Sequence, residues 1–363
     1  MKRQVGIIGS VGVPGKYGGF ETLAHHLSKG LVPRHPVQVY CSSKAYPPQT
    51  RQAVWEGVKL VYIPFDANGI SSIPYDLLSL LHALFTCKVL VVLGVSGAPV
   101  LPLIRLFTRK RLIVNIDGLE WKRDKWGRFA KAYLKAAERI AVFSAHEIIA
   151  DNQGIQAHVL EAYGKSSRLI EYGGDHALPV AANDSDREAY PFLSAPYAFK
   201  VCRIEPENNI GMVLEAFATQ QKLPLVMIGN WNNSEYGSAL KAKYSNYSHL
   251  HLLDPIYEPR TLNMIRSGAY VYVHGHMAGG TNPSLVEAMS LRLPIIAFDV
   301  LYNRATTEDQ ALYFTDVNSL HDLLQQLSDQ QLQQIREQMT EIATRRYTWQ
   351  TIVAKYEALI SHP

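Results

Sequence analysis

GGTNPSLVEAMSLRLPIIAFD, residues 279 to 299, reads as a Gly-rich turn, a helix carrying Glu287 and a buried strand from Pro294 to Phe298. Small residues opening a helix leave backbone N–H groups free, at the positive end of the helix dipole. Gly280, Thr281 and Asn282 are therefore candidates to hold an anion such as a nucleotide diphosphate. Glu287, two turns into the same helix, could hold ribose hydroxyls. A plain strand-to-helix turn in a parallel sheet would read the same way.

Outward from this stretch, strand and helix patterns alternate. Gln4–Ile8, Val37–Cys41, Val58–Ile63, Val89–Leu93, Arg111–Ile116 and Arg139–Phe143 read as strands. Phe20–Leu31, Tyr75–Phe85 and Trp126–Ala137 read as helices between them. After Tyr172 the alternation resumes, with strands at Tyr197–Cys202, Leu225–Ile228, Leu250–Leu253 and Tyr270–His274. Short apolar runs alternating with helices imply parallel sheets covered on both faces. The 363 residues exceed a typical single core, so an α/β protein of two doubly wound, Rossmann-like domains is expected. The first is expected over 1–178, joined by a helix at 346–363, and the second over 179–345. Leu77–Leu106 is long and apolar, but His82, Lys88 and the GVSGAP turn read as helix, strand and turn rather than a membrane span.

The net charge of +4 hides an asymmetry. Residues 1–180 hold 22 Lys and Arg against 13 Asp and Glu; residues 181–363 hold 14 against 19. Between Arg105 and Arg139 lie 11 basic and 4 acidic residues. Such a face suits an anionic lipid, a phosphorylated substrate or nucleic acid, or is simply a solvated surface. Cys41, Cys87 and Cys202 are far apart and sit in apolar runs, so free thiols and a cytoplasmic setting are expected. The first residues read directly into a strand, with no secretory signal pattern.

Three further stretches carry chemistry. Gly9 to Glu21, GSVGVPGKYGGFE, follows the first strand, and Gly18-Gly19 could let a backbone approach a diphosphate. It is not a clean dinucleotide fingerprint, and no acidic ribose ligand ends the second strand at Cys41, so a dehydrogenase is disfavoured. NIDGLEWKRDKW, residues 115–126, puts Asp117 at a strand end, with Glu120, Lys122 and Arg123 behind it, a set able to hold a sugar and a phosphate. KVCRIEPENN, residues 200–209, places Arg203 where a strand ends, suited to a bidentate phosphate contact. The histidines show no metal spacing; His274 and His276 are expected on opposite sides of their strand.

Taken together, GKYGGFE, NIDGLEWKRDKW, EYGGD, RIEPENN, GGTNPSLVEAM and the terminal YTWQTIVAKYEAL resemble a retaining glycosyltransferase of family 4 with the GT-B fold. The likeness points to the bacterial rhamnosyltransferase branch of capsule and O-antigen assembly. It implies an acceptor-binding first domain and a nucleotide-sugar-binding second domain facing a cleft, with the last helix crossing back to the first domain. It implies no metal or other cofactor, and no nucleic-acid partner. The donor would be dTDP-rhamnose, the acceptor a polyprenyl-diphosphate-linked saccharide, and the location the cytoplasmic face of the plasma membrane. Asp117, Arg203 and Glu287 would carry catalysis. Gly18, Gly19, Arg203, Asn208, Gly280, Thr281, Asn282 and Glu287 would hold the donor, and Lys16, Tyr17, Glu120, Lys122 and Arg123 the acceptor. Three positions depart from the pattern: Gly279 replaces a glutamate, Asn208 a lysine and Asp117 a histidine. The departures leave two alternatives open: a nucleotide-sugar 2-epimerase, or a catalytically silent nucleotide-sugar-binding scaffold.

Overall fold

Runs of Val, Ile and Leu bounded by Gly and polar turns form the strands of two parallel sheets, because strands covered on both faces bury every side chain. The computed structural model describes residues 3–15, 18–122 and 126–362. Two compact units divide the chain: Met1–Tyr172 with Trp349–Pro363, and Gly173–Thr348.

The first unit holds β1 (Val5–Ile8), β2 (Val37–Ser42), β3 (Val54–Trp55), β4 (Val58–Ile63), β5 (Val89–Leu93), β6 (Arg111–Asn115), β7 (Glu147–Ala150) and β8 (Arg168–Leu169). Their order across the sheet is β3-β4-β2-β1-β5-β6-β7-β8, parallel except for the β3–β4 pair. Between them run α1 (Gly19–Leu31), α2 (Ser72–Thr86), α3 (Leu101–Phe107), α4 (Arg128–Ser144) and α5 (Gln153–Tyr163). The strand order reverses between β1 and β5, and open α/β sheets bind ligands at such a reversal, beyond the carboxyl ends of the strands.

The second unit holds α6 (Asp184–Ala189), α7 (Ile210–Ala218), α8 (Glu235–Tyr244), α9 (Pro259–Ser267), α10 (Pro283–Ser290), α11 (Leu301–Thr307), α12 (Val317–Gln326) and α13 (Asp329–Arg346). Its sheet is built from β9 (Ala198–Val201), β10 (Leu225–Ile228), β11 (Leu250–Leu253), β12 (Val271–His274), β13 (Ile295–Phe298) and β14 (Leu312–Phe314), all parallel, ordered β11-β10-β9-β12-β13-β14. Here the order reverses between β9 and β12. One side of the sheet packs Ala198, Met227 and Val273 against Val213, Phe217 and Leu320. The chain then returns to the first unit as α14 (Trp349–Ser361), which packs on α1. His26 stacks on Trp349, with ring centroids 4.4 Å apart, and the Tyr356 hydroxyl accepts from Asn115.

One expected strand is corrected. Arg139–Phe143 continues α4, because Ala137, Glu138, Ala141 and Val142 recur at helical spacing on its buried side. The strand that follows is β7, four residues later. The three cysteines are free and buried. Leu77–Leu106 folds as the end of α2, β5, a turn and α3, and among the described residues no helix is long and apolar enough to cross a membrane.

Asp76, on α2, is buried beside the turn that follows β5. It accepts from the Gly97 backbone, its Oδ1 has no partner, and burial pushes its carboxyl up to about 8. The native state therefore keeps a proton that the unfolded chain releases near pH 4. Where the native state holds the extra proton, stability falls as pH rises, here between about pH 4 and about 8. Denaturant unfolding across that range should show Asp76→Asn with a flatter pH profile than the parent. An unchanged profile would refute the assignment.

Candidate functional site

In the second unit the loops after β9 and β12 meet at the strand-order reversal. The Asn209 side chain donates to the Gly275 carbonyl at 3.0 Å, and the Met277 N–H donates to the Glu207 carbonyl at 3.0 Å. Arg203, two residues past β9, is exposed, and its guanidinium has no partner among the described residues. Gly280, Thr281 and Asn282 lead into α10, with Asn282 as its N-cap and Pro283 at its first turn. Pro brings a φ already suited to a helix start. The expected anion-binding groups of this unit thus share one edge of its sheet.

The departures now have a physical reading. Gly279 has φ +115°, a backbone region that an L side chain adopts only under strain. A glutamate is thus disfavoured there by the backbone as well as absent. The Asn208 amide donates to the Arg203 carbonyl at 2.7 Å, so part of its hydrogen-bonding capacity closes the turn that presents Arg203.

Glu287 is buried and already held from two sides. Its Oε2 pairs with Arg266 Nη2 at 2.6 Å, and its Oε1 meets His176 Nε2 at 3.1 Å. Burial raises the Glu287 carboxyl, but the Arg266 charge and the His176 hydrogen bond outweigh it and leave it below its ordinary value. The group is an ionised acceptor, fixed in direction.

Sequence reading missed His176 and Arg266, because no spacing pattern connects residues 111 and 21 positions from Glu287. It also missed Lys200, whose signal was a charge inside the apolar run Tyr197–Cys202. Lys200 is 0% exposed, its ammonium has no partner among the described residues, and burial lowers its proton affinity. A Cβ on Gly275 would lie 2.9 Å from that nitrogen, so Lys200 reaches under the turn after β12. His274 is also fully buried, and burial with the Lys200 charge holds its pKa well below the usual range. Contrary to expectation, His274 and His276 stack with centroids 4.3 Å apart, since residues i and i+2 share a face.

In the first unit Gly18 has φ +124°, and a Cβ there would come within 1.9 Å of Glu21 Oε2. Glu21 accepts from the Val11 N–H at 2.9 Å and so ties the loop after β1 to α1, which begins at Gly19. Burial raises the Glu21 carboxyl, and the Asp117 charge adds to the rise. Asp117, two residues past β6, has φ +63°, and its N–H donates to Asn115 Oδ1 at 3.1 Å. Glu120 accepts from the Trp126 indole at 3.1 Å. The Trp121 indole donates to Glu138 Oε2 at 2.9 Å, so its polar edge is engaged inside the unit. Lys122 is exposed, its ammonium 5.4 Å from the Trp121 ring centroid. Lys16, Tyr17 and Arg123 lie outside the described residues. Among the described residues no group of three His, Cys, Asp or Glu could hold a metal ion.

Residues 183–346 match the family Glycosyl transferases group 1, and residues 2–175 match a domain of unknown function, DUF1972. None of the curated proteins matches the chain. Among solved structures, sucrose-phosphate synthase from Thermosynechococcus elongatus is similar at TM-score 0.80 and 16% identity, covering 99% of this chain and 98% of the other. Anabaena HepE, solved with UDP-glucose, is similar at TM-score 0.74 and 15% identity, covering 99% of each chain. A glycosyltransferase from Rickettsia africae is similar at TM-score 0.74 and 12% identity, covering 99% and 97%. The fold is that of GT-B glycosyltransferases, two Rossmann-like domains. The second unit carries a glycosyl transferases group 1 domain, preceded by a DUF1972 domain, which supports assignment as a glycosyltransferase.

Removing Glu287 strands the buried Arg266 charge. Glu287→Ala should cost about 3 kcal/mol in urea unfolding, as for other broken buried pairs. Glu287→Gln, which keeps an acceptor for His176 or Arg266, should cost less. Equal losses would show that the charge is not what matters.

Proposed function

We propose that the protein transfers a sugar from a nucleotide-sugar, dTDP-β-L-rhamnose, to a polyprenyl-diphosphate-linked saccharide at the inner leaflet of a bacterial membrane, with retention at the anomeric carbon. The observation that carries the reading is the unpartnered, exposed Arg203 guanidinium on the same sheet edge as the Gly280–Asn282 turn and the α10 N-terminus, at the strand-order reversal of a glycosyl transferases group 1 domain. These groups suit a diphosphate whose charge grows as the glycosyl bond breaks. Lys200, under the Gly275 turn, adds positive potential where Asn208 offers none.

The reaction is positioning and charge stabilisation. The acceptor hydroxyl attacks the anomeric carbon on the face the leaving group departs from. The leaving phosphate oxygen takes the hydroxyl proton. Arg203 and the N–H groups of residues 280–282 hold the departing diphosphate, and Glu287 meets the ribose hydroxyls. Gly18 and Gly19 are the first unit's candidates for backbone contact with a diphosphate. Asp117 orients a sugar, and Lys16, Tyr17, Glu120, Lys122 and Arg123 meet the acceptor. Glycine at 279 supports a 6-deoxy sugar over a glucose-like donor, since no carboxylate is present there to hold the sugar hydroxyls. HepE was solved with UDP-glucose, so the uridine donors are the direct competitors in any test.

Thermal unfolding with a nucleotide panel tests the reading, because a ligand of the folded state raises its stability. dTDP and dTDP-rhamnose should raise the midpoint more than UDP- or GDP-sugars. A larger rise with UDP-glucose would overturn the donor, and binding without turnover on any acceptor would favour the scaffold alternative. Arg203→Ala should lower kcat/KM about 100-fold or more at unchanged stability, the scale seen when one charge-stabilising donor is removed. Lys200→Met should gain about 1 kcal/mol of stability by removing an unpaired buried charge, and yet bind dTDP more weakly. Undiminished binding would remove Lys200 from the site.

A further inference from the structure

β1, β5, β6 and β7 run parallel, so the residues that precede them share one edge of the sheet, opposite the edge that carries Gly18, Gly19 and Asp117. Arg3, Lys88, Arg109, Lys110, Arg111 and His146 line a depression of about 490 Å³ there. Every lining residue is basic or a histidine. Arg111 Nη2 pairs with Glu147 Oε1 at 3.1 Å, Lys110 donates to the Cys87 carbonyl, and Arg3 to the carbonyls of Ile360 and His362. Lys88, Arg109 and the neighbouring Arg105 are exposed and have no carboxylate partner among the described residues. Burial and the charges of Arg105 and Arg111 lower the His146 pKa, as expected in a cationic field.

Large apolar side chains stand exposed at the same edge. α2 and α3 both end there, because each feeds the start of a strand. Phe85 is 90% exposed, Leu106 74% and Phe107 80%. The steps β4→β5 and β5→β6 run in one direction across the sheet, so right-handed crossovers put α2 and α3 on the same face. Nothing in the unit is stabilised by leaving these three in water. Each lies within four residues of an unpaired cation in the sequence. Aromatic and aliphatic residues interleaved with Lys and Arg match a phospholipid boundary, where acyl chains and phosphates lie within a few ångströms. A protein interface core would be depleted in Lys. A nucleic-acid face would use ring stacking, which Leu106 cannot supply.

We propose that this edge of the first unit docks on an anionic lipid bilayer. Lys88, Arg105 and Arg109 meet headgroup phosphates, while Phe85, Leu106 and Phe107 enter the acyl boundary. The inference rests on the proposed inner-leaflet location; the proposed acceptor residues follow the opposite ends of these strands, so the surface holds the protein at the bilayer without itself delivering the acceptor, and its test needs neither donor nor acceptor.

Full-length protein is sedimented with phosphatidylcholine vesicles, and with the same vesicles containing phosphatidylglycerol. The expected result is binding to the anionic vesicles, weakened by salt, with little on phosphatidylcholine alone. Two variants are compared: Lys88→Glu with Arg105→Glu and Arg109→Glu, and Phe85→Ser with Leu106→Ser and Phe107→Ser. Each should bind about tenfold or more weakly, with unfolding midpoints and dTDP shifts kept. Parental binding by both variants, or no vesicle binding by the parent, would overturn the proposal. So would a concentration-dependent dimer abolished by the Ser variant, or binding to single-stranded RNA without vesicles. A retained dTDP shift alongside failed vesicle binding would sink the docking surface and leave the sugar-transfer reading standing; a lost shift with intact vesicle binding would do the reverse.

Discussion

The candidate site of the second unit depends on one constraint of parallel sheets, that all strands end at the same edge. Where consecutive strands depart in opposite directions, the loops after them are not covered by a crossover helix. β9 and β12 are that pair, and the loops beyond them carry Arg203 and the Gly279–Asn282 turn. The Asn209–Gly275 and Glu207–Met277 hydrogen bonds join the two loops into one surface. The first unit repeats the device at β1 and β5, with Glu21 tying down the loop.

Stability is given up at this edge. Lys200 keeps an ammonium fully buried without a partner, and His274 keeps both ring nitrogens unbonded beside it. A buried charge with no partner is costly, and natural folds retain such groups mainly where function requires them. Glu287 is the opposite case. Its charge is compensated by Arg266 and His176, which hold it ionised and aimed. One acid and one base in the same unit are thus managed by opposite means.

What the structure adds to the sequence reading has specific causes. Asn208 stands where the resemblance has a lysine, and its amide holds the Arg203 turn through one hydrogen bond. Around the expected acceptor residue Glu120, the Trp126 indole donates to its carboxylate and the neighbouring Trp121 indole donates to Glu138, so both indole N–H groups are engaged within the unit. The apolar run 139–143 looked like a strand, because five residues cannot distinguish alternation from a helical turn. Glu138 settles it: buried at 1%, it gathers Trp121, His158 and Tyr163 and needs the helix to face them.

The sequence by itself determined the α/β class, the two parallel sheets and the Gly-rich turn before α10, because these follow from local periodicity and from backbone that only glycine accepts. Arg203 at a strand end was legible for the same reason. Only the tertiary structure decided what surrounds those groups. His176 and Arg266 reach Glu287 from 111 and 21 residues away, and Lys200 reaches Gly275 across neighbouring strands. The grouping of Phe85 and Phe107 with Lys88 and Arg109 likewise arises because parallel strands start at one edge. Such pairings are set by strand order, which the spacing of residues along a chain does not encode.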